Sequence, residues 1–333
     1  MGRLSAAIGT AAAALLIAGT VLFGVQSASA NLPGAGFDTQ AATSPGPVSF
    51  AEIVWATRHT AYQGRQETTV AGPVRTASFV SRVQQEADGR RNVVITAPRK
   101  RMGEVQFDDG SYIWHYFPRR SVVEIKASET MRRRNTERRQ PVLAAGGSDI
   151  VAGRAATIYT VTPIRAGAPT LRIWVDNASD IILRTDWANR NGAQISERFV
   201  EVEFGPPGPM AFHWPAGARL AVRSWQGALR QGGKAEVTAL PLALPRIVPK
   251  SSLFDGLWMR DVAGRSVLFL HFHSGRHEAS IFETVGAPAG ALPGGANVDN
   301  WNVGPLNITL VSDLPPAARR QIRQTMRMVY QPS

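Results

Sequence analysis

The chain of 333 residues contains no cysteine. This absence excludes disulfide bonds, catalysis by a thiol and a lipid-modified N-terminal cysteine of the lipoprotein type. The fold must therefore be stabilised by its buried core. About 300 residues are enough for two domains, each with a core of its own.

The sequence also lacks the short motifs of common enzyme classes. It contains no G-x-S-x-G motif, no Walker A motif and no dinucleotide-binding fingerprint. A Gly-Gly-Lys run at 232–234 lacks the preceding glycine at the spacing that a phosphate-binding loop requires. None of these enzyme classes is therefore predicted.

Two pairs of carboxylates are candidates for acid–base chemistry. Asp108 and Asp109 precede Gly110 in a predicted turn, where aspartate side chains bind backbone N–H groups. Glu201 and Glu203 share one face of a predicted strand, which is most simply the solvent face. Neither pair has a candidate partner for acid–base work, so a hydrolase is not supported. Taken over the whole chain, we predict a protein that is not an enzyme.

Three histidines, His271, His273 and His277, lie within seven residues around a predicted hairpin turn. The first two point to the same side of a strand and the third can return beside them, an arrangement that would suit zinc or copper. The polar face of a strand explains the same residues without a metal. We therefore predict no metal or other cofactor, and rank a metal-dependent enzyme third among the functions considered.

Residues 1–30 have the pattern of a signal peptide. Arg3 precedes an apolar run over 8–25, and Ala-Ser-Ala at 28–30 is a typical cleavage signal. An uncleaved membrane anchor is the alternative, because the apolar run is long enough for one. We expect cleavage, export to the periplasm and a linker over residues 31–46, which are rich in small residues and proline.

The net charge of +12 comes almost entirely from arginine. Arginine binds phosphate and carboxylate groups through two parallel hydrogen bonds. The densest group is therefore predicted to bind an anionic lipid head group or an acidic protein partner, while export disfavours nucleic acid. A solvated loop is the alternative, and the surrounding segment 130–147 is predicted to be a loop or short helix. The group consists of Arg132, Arg133, Arg134, Arg138 and Arg139.

Helix and strand patterns are clear in several segments. Ser49 with Glu52 forms a predicted capping box at the start of a helix. The segment 150–204 is a meander of antiparallel strands, in which Leu171, Ile173 and Val175 alternate with bulkier or charged residues. Near the C-terminus a helix is predicted from residue 314, with an apolar stripe formed by Ile322, Met326 and Val329.

Large aromatic side chains accompany these strands. Three of them alternate on one strand and so share one face. Such rings are ordinary core beneath a helix, but in a strongly curved sheet they line a cavity for acyl chains. The residues predicted to line a lipid cavity are Tyr112, Trp114, Tyr116, Trp174 and Trp187.

Three stretches resemble the N-terminal domain of the RseB/MucB family: PRKRMGEVQFDDGSYIWHYFP, VAGRAATIYTVTP and LRIWVDNASDIILRTDWANRNGAQISERFVEVEF. The segment from Leu257 to Thr284, followed by ITLVSDLPPAARRQI, is similar to the smaller C-terminal domain of the same family. The resemblance covers nearly the whole chain after residue 30.

This resemblance implies a mainly β, α+β fold of the type shared with LolA and LolB. The expected architecture is a half-open antiparallel β-barrel with a helical lid, followed by a smaller C-terminal α+β domain. The corresponding boundaries are 47–205 for the lipid-binding domain, 206–250 for a connector and 251–333 for the small domain.

The resemblance also implies a function. Members of the family are periplasmic regulators of the sigma-E envelope-stress pathway. They bind the periplasmic part of a membrane-bound anti-sigma factor and protect it from proteolysis until a lipid or mislocalised lipoprotein is bound. A periplasmic carrier of lipoproteins or lipids, similar to LolA, is the alternative, and a homo-oligomer is left open.

Overall fold

The computed structural model describes residues 49–128, 141–162, 171–188, 193–224, 235–246, 253–262, 265–274, 277–286 and 297–332. The predicted signal peptide (1–30), the linker (31–46) and the arginine group at 132–139 lie outside these residues.

Contacts between Cα atoms divide the chain into two compact units. The first unit comprises the described residues of Met1–Gly89, Ile95–Met102 and Arg133–Gly208. The second comprises those of Arg90–Val94, Gly103–Arg132 and Pro209–Ser333. The predicted boundaries assign residues 103–132 to the first domain instead, and those boundaries stay a prediction.

The described residues are mainly β-strand, with two α-helices, α1 (Phe50–His59) and α2 (Pro316–Thr325). The strands are β1 (Tyr62–Ala71), β2 (Thr76–Gln85), β3 (Arg91–Ala97), β4 (Val105–Asp108), β5 (Tyr112–Phe117), β6 (Val122–Ala127), β7 (Val142–Val151), β8 (Arg154–Thr162), β9 (Leu171–Asp176), β10 (Ile182–Ala188), β11 (Gln194–Phe204), β12 (Arg219–Ser224), β13 (Ala235–Thr238), β14 (Leu242–Pro245), β15 (Leu253–Val262), β16 (Arg265–Ser274), β17 (His277–Val285), β18 (Asn297–Val303), β19 (Leu306–Ser312) and β20 (Met326–Tyr330). The mainly β class predicted from the sequence is therefore confirmed.

The first unit contains one antiparallel sheet in the order β2–β1–β11–β10–β9–β8–β7. The described pairings do not close this sheet into a barrel. The predicted alternation in the meander is confirmed, because Leu171, Ile173 and Val175 are buried and belong to one apolar cluster. That cluster lies on the face of the sheet covered by α1, which we call the inner face.

Helix α1 begins at the predicted capping box. Ser49 Oγ accepts a hydrogen bond from Glu52 N, and Glu52 Oε2 accepts one from Ser49 N at 2.7 Å. On the buried side of the helix, Thr57 Oγ1 donates to Ile53 O at 2.8 Å and accepts from Ile182 N at 3.1 Å. This threonine therefore connects α1 directly to the start of β10.

Strand β7 corrects the prediction of a loop or short helix through residue 147. From Val142 to Val151 the chain pairs with β8, which overrides the weak strand preference of its alanines and glycines. Most of its side chains are exposed, including Val142 at 67% and Ile150 at 73%. It is the most exposed long strand of the first unit in the described residues.

The second unit has a different arrangement. Strands β4, β5 and β6 form an antiparallel group, and β12 pairs in parallel with β6 and β15. Strands β15, β16, β17, β19 and β18 form an antiparallel series in that order. Its core is a large cluster of aliphatic and aromatic side chains from both groups.

The C-terminal helix is shorter than predicted. Helix α2 ends at Thr325, and residues from Met326 onward form β20, which pairs with β14. The predicted helical stripe is therefore wrong for Met326 and Val329, because strand pairing takes over at that point.

No described helix is both long enough and apolar enough to cross a membrane.

Candidate functional site

The inner face of the first unit has an apolar part and a polar part. The apolar part packs against α1 as a core cluster. It is composed of Phe50, Ile53, Val54, Val161, Leu171, Ile173, Val175, Ile182, Trp187 and Ile195.

Beside this cluster, a row of polar side chains crosses four adjacent strands. Ser81 of β2 faces Gln66 of β1, and Thr68 of β1 faces Glu197 of β11. Thr185 of β10 faces the other side of Glu197. Directly opposed side chains are about 5 Å apart at their Cβ atoms, so these five form a continuous group. We call Gln66, Thr68, Ser81, Thr185 and Glu197 the inner polar patch.

The inner polar patch is deeply buried. Thr68 and Ser81 are 0% exposed, and the other three members are at most 7% exposed. Four of its oxygen atoms, Gln66 Oε1, Thr68 Oγ1, Ser81 Oγ and Thr185 Oγ1, have no hydrogen-bond partner. Most buried polar atoms in folded proteins are hydrogen-bonded, so a group of unpaired ones points to a bound molecule or to a specific role.

Trp187 lies next to the patch, two residues after Thr185 on the same face of β10. Its side chain is buried in the apolar cluster, and its Nε1–H has no hydrogen-bond partner. The structure therefore places this predicted lipid-contacting residue at the junction of the apolar and polar parts.

Trp174, also predicted to line the cavity, lies on the opposite face of the same sheet. Its Nε1 donates to Asp149 Oδ2 at 2.9 Å. The guanidinium groups of Arg184 and Arg172 lie 4.3 and 5.2 Å from the centre of its ring. Trp174 and Trp187 therefore face different surroundings, and the structure does not bring them together.

The remaining three predicted residues lie on β5, in the second unit. Tyr112 and Trp114 are buried in its core, and Tyr116 packs against that core while partly exposed. Trp114 Nε1 donates to Asp109 Oδ2 at 2.9 Å, and its ring stacks on Phe212 with centroids 5.1 Å apart. The three rings share one face as predicted, and their binding of lipid stays a prediction.

Sequence reasoning missed the inner polar patch and part of the aromatic core. Alternation assigns polar residues such as Gln66 and Thr68 to the solvent side of a strand, whereas here they lie on the buried side. Phe212 and Trp214 also join the rings around Trp114. Their spacing of two residues was a usable signal, but the prolines around them indicated a connector.

Two surface grooves are also present. The groove on the outer face of the first unit has a volume of about 560 Å³ and polar walls, which include the ion pair between Arg65 and Glu201 at 3.1 Å. The groove in the second unit has a volume of about 660 Å³ and is lined by Trp301, Met328 and arginines. Neither contains any of the five aromatic residues predicted from the sequence.

The acidic pairs take structural roles. Gly110 N donates to Asp108 Oδ1 at 2.9 Å, and Tyr112 N donates to Asp109 Oδ1 at 2.7 Å. These bonds confirm the predicted turn. Glu201, in the other pair, is an exposed residue of β11, as expected for the solvent side of a strand.

The histidines lie on β16 and β17. His271 Nδ1 lies 3.2 Å from Ser280 Oγ, and His277 Nδ1 lies 3.5 Å from Asp313 Oδ2. The side chain of His273 is outside the described residues. Within those residues, no three potential metal ligands come together.

Comparison with known proteins finds no matching family model and no matching curated protein. Similar solved structures include the Pseudomonas aeruginosa MucA/MucB complex, with 16% identity over 83% of this chain and 98% of that chain, at a TM-score of 0.34. A crystal structure of MucB has 15% identity over 83% and 95% of the two chains, at a TM-score of 0.34.

A LolA superfamily protein from Nitrosomonas europaea has 11% identity over 48% of this chain and 96% of that chain, at a TM-score of 0.29. These structures are of the two kinds that the sequence resembles. At identities and TM-scores this low, the likeness by itself assigns no function.

Proposed function

We propose that this protein is an exported, non-enzymatic regulator of the envelope-stress response. In this proposal it binds lipid, or the acyl chains of a mislocalised lipoprotein, in its first unit. It also binds the periplasmic part of a membrane-bound anti-sigma factor and thereby controls that factor's proteolysis. Its place of action is the periplasm.

The observation that carries this proposal is the inner face of the first unit. Apolar side chains from α1 and from β8 to β11 form one cluster beside hydrogen-bonding atoms that have no partner. Burial of hydrocarbon drives the binding of acyl chains, and a few polar groups orient a ligand in such a site. Strands β8 to β11 of this face lie in the stretches that resemble the lipid-binding domain of the RseB/MucB family.

The second unit favours a regulator over a carrier of the LolA kind. It has a large core of its own in residues 209–332 together with β4 to β6. A carrier of acyl chains needs only the lipid-binding part, whereas a regulator also needs a surface for its protein partner. The arginine group at 132–139 is proposed to contribute to partner binding as well, separately from the second unit.

The experiment that tests the function isolates the full chain from cell envelopes with a C-terminal tag. Mass spectrometry then identifies the lipids and proteins that are purified with it. We expect acyl lipids together with a single-span anti-sigma factor. Lipids together with many lipoproteins, and no anti-sigma factor, would favour the carrier instead.

The partner surface is tested by changing Arg132, Arg133 and Arg134 together to serine. Exposed charges steer association, so the association rate with the purified partner should fall about tenfold at low salt and less at high salt. The melting temperature should hardly change. The matched control changes Arg75, Arg82 and Arg99, which are exposed arginines elsewhere, to serine. Equal rates for both triple variants would contradict the proposed surface.

A further inference from the structure

We infer that the inner polar patch, together with Trp187, binds the carbonyl oxygens of acyl ester or amide groups. The inference rests on the proposed function, because it names the part of a lipid ligand that the first unit recognises. The acyl chain, which begins at the carbonyl carbon, would lie against the apolar residues next to the patch.

The first step is that these polar atoms are not ordinary structural groups. Thr57, in the same unit, is also buried, and its hydroxyl both donates and accepts a hydrogen bond. The hydroxyls of Thr68 and Thr185 are equally buried and make no hydrogen bond. Leaving buried hydroxyls unpaired costs free energy, so a ligand that pairs them gains affinity.

The unpaired atoms of the patch and of Trp187 determine which ligand groups could form hydrogen bonds with them. The indole Nε1–H of Trp187 can only donate a hydrogen bond, and the hydroxyls of Thr68, Ser81 and Thr185 can also donate. Trp187 therefore requires an acceptor from the ligand, and the hydroxyls can donate to the same kind of group. The unpaired Gln66 Oε1 is an acceptor, which an amide N–H of a ligand can satisfy.

The third step concerns the charge of the ligand. The one charged residue of the patch is Glu197, which is 7% exposed and lies between Thr68 and Thr185 in the register. The patch contains no lysine or arginine. A phosphate or a free carboxylate would therefore find no cationic side chain within the patch, so a neutral carbonyl fits better.

The fourth step is the position of the patch within the face. Ile195 and Phe199 lie two residues before and after Glu197 on the same side of β11, and both are buried. Phe79 faces Thr68 from β2 and is also buried. Polar atoms directly beside apolar residues match an acyl ester or amide, whose hydrocarbon chain begins at the carbonyl carbon.

The test compares two ligands that differ only in the carbonyl groups. Dioctanoylglycerol carries two ester linkages, and the matching dioctyl glycerol ether has CH₂ in place of each carbonyl. Wild-type full chain, freed of lipid, should bind the ester more tightly than the ether. In a variant with both Thr68→Val and Thr185→Val, this preference should fall about tenfold, while affinity for the ether stays the same.

Stability gives a second, independent measurement. The double variant should melt at the same temperature as the ligand-free wild type, or about 2–4 °C higher, because it loses only unpaired hydroxyls. The matched control Thr57→Val loses two hydrogen bonds and should melt at a lower temperature. It should nevertheless keep the preference of the wild type for the ester.

Four results would overturn the inference. Wild type that binds ester and ether equally would do so, as would a double variant that keeps the full preference. A double variant destabilised as much as Thr57→Val would show that its hydroxyls already have partners. In these three cases lipid binding as proposed above survives. If wild type bound neither ligand, the proposed lipid binding would fail together with the inference.

Discussion

The two units differ in whether certain buried hydroxyl groups are hydrogen-bonded. In the second unit, Thr309 Oγ1 donates to Asn300 Oδ1 at 2.8 Å, and Ser312 Oγ donates to Glu278 O at 2.9 Å. In the first unit, the hydroxyls of Thr68 and Ser81 make no hydrogen bond although both residues are 0% exposed. Both units bury polar residues, but only the first contains a contiguous group of unpaired hydroxyls among the described residues.

Paired and unpaired buried hydroxyls are expected to have different effects on stability and on ligand binding. A buried hydroxyl with partners stabilises one arrangement of its strands, whereas an unpaired one lowers stability until something binds to it. The first unit is expected to gain the most stability from a ligand, since a molecule that binds only the folded state stabilises it.

The largest expected effect comes from removing one indole in each unit. Trp114→Ala should destabilise the second unit by about 3–5 kcal/mol, since it leaves a cavity among stacked rings. Trp187→Ala should destabilise the first unit by a similar amount. Only Trp187→Ala should also weaken lipid binding at temperatures where the protein stays folded. Denaturant unfolding and lipid titration measure the two effects separately.

Trp55→Ala is the control for this pair, because Trp55 is 57% exposed. It should change neither stability nor lipid binding appreciably. If Trp114→Ala weakened lipid binding under conditions where the protein stays folded, this would support the sequence prediction that β5 contacts lipid. It would also contradict the expectation that only the tryptophan of the first unit affects lipid binding.

Local features of the first unit could be predicted from the sequence, whereas its buried polar residues could not. The capping box at Ser49 and the alternation of Leu171, Ile173 and Val175 were predictable, because local hydrogen bonds and period-two burial leave a direct signature. The burial of Thr68 was not, because a polar residue inside a sheet contradicts the pattern from which strands are assigned. The period-two pattern that identifies the strands therefore does not identify the buried polar residues of the candidate site.

Long-range pairing explains the other differences. The local sequence of β7 predicts a loop or short helix, and that of β20 predicts a helix. Both segments are strands because they pair with β8 and β14, respectively. The face on which Trp174 lies was visible in the alternation. Its surroundings, two arginines and Asp149, depend on strands that are distant in sequence.

The second prediction concerns Glu283, the buried carboxyl group of the second unit. Glu283 Oε2 accepts a hydrogen bond from Ala243 N at 3.0 Å. Burial raises the pKa of Glu283 well above its ordinary value, and this hydrogen bond opposes the rise only in part. The folded state therefore retains a proton that the unfolded chain releases.

The contribution of Glu283 to the stability of the second unit should consequently be largest at acid pH. It should fall as pH rises above about 4.3, the ordinary pKa of a glutamate, by about 1.4 kcal/mol per pH unit until the raised pKa is passed. Glu283→Gln should flatten this dependence in denaturant unfolding. The control Glu278→Gln, an exposed residue of the same strand, should leave it in place. If both variants kept the slope, Glu283 would be ionised in the folded protein.

The smallest expected effect concerns the helices of the two units. The first turn of α1 is closed by the side chains of Ser49 and Glu52, whereas α2 follows Pro315, which makes no side-chain cap. Ser49→Ala should therefore destabilise the first unit by about 1 kcal/mol, while Ser49→Thr keeps a hydroxyl acceptor and should cost less.

Hydrogen bonds from the backbone and side chain of Ser49 lower the pKa of Glu52, and outweigh the opposing effect of burial. The contribution of Glu52 should accordingly be lost as pH falls below about 4.3, and Glu52→Gln should remove that part of the acid sensitivity. Unfolding of both variants between pH 3 and 7 measures this. Because Ser49 itself lies outside the apolar cluster, Ser49→Ala should leave lipid affinity nearly unchanged. A loss as large as that of Trp187→Ala would mean that α1 itself moves when lipid binds.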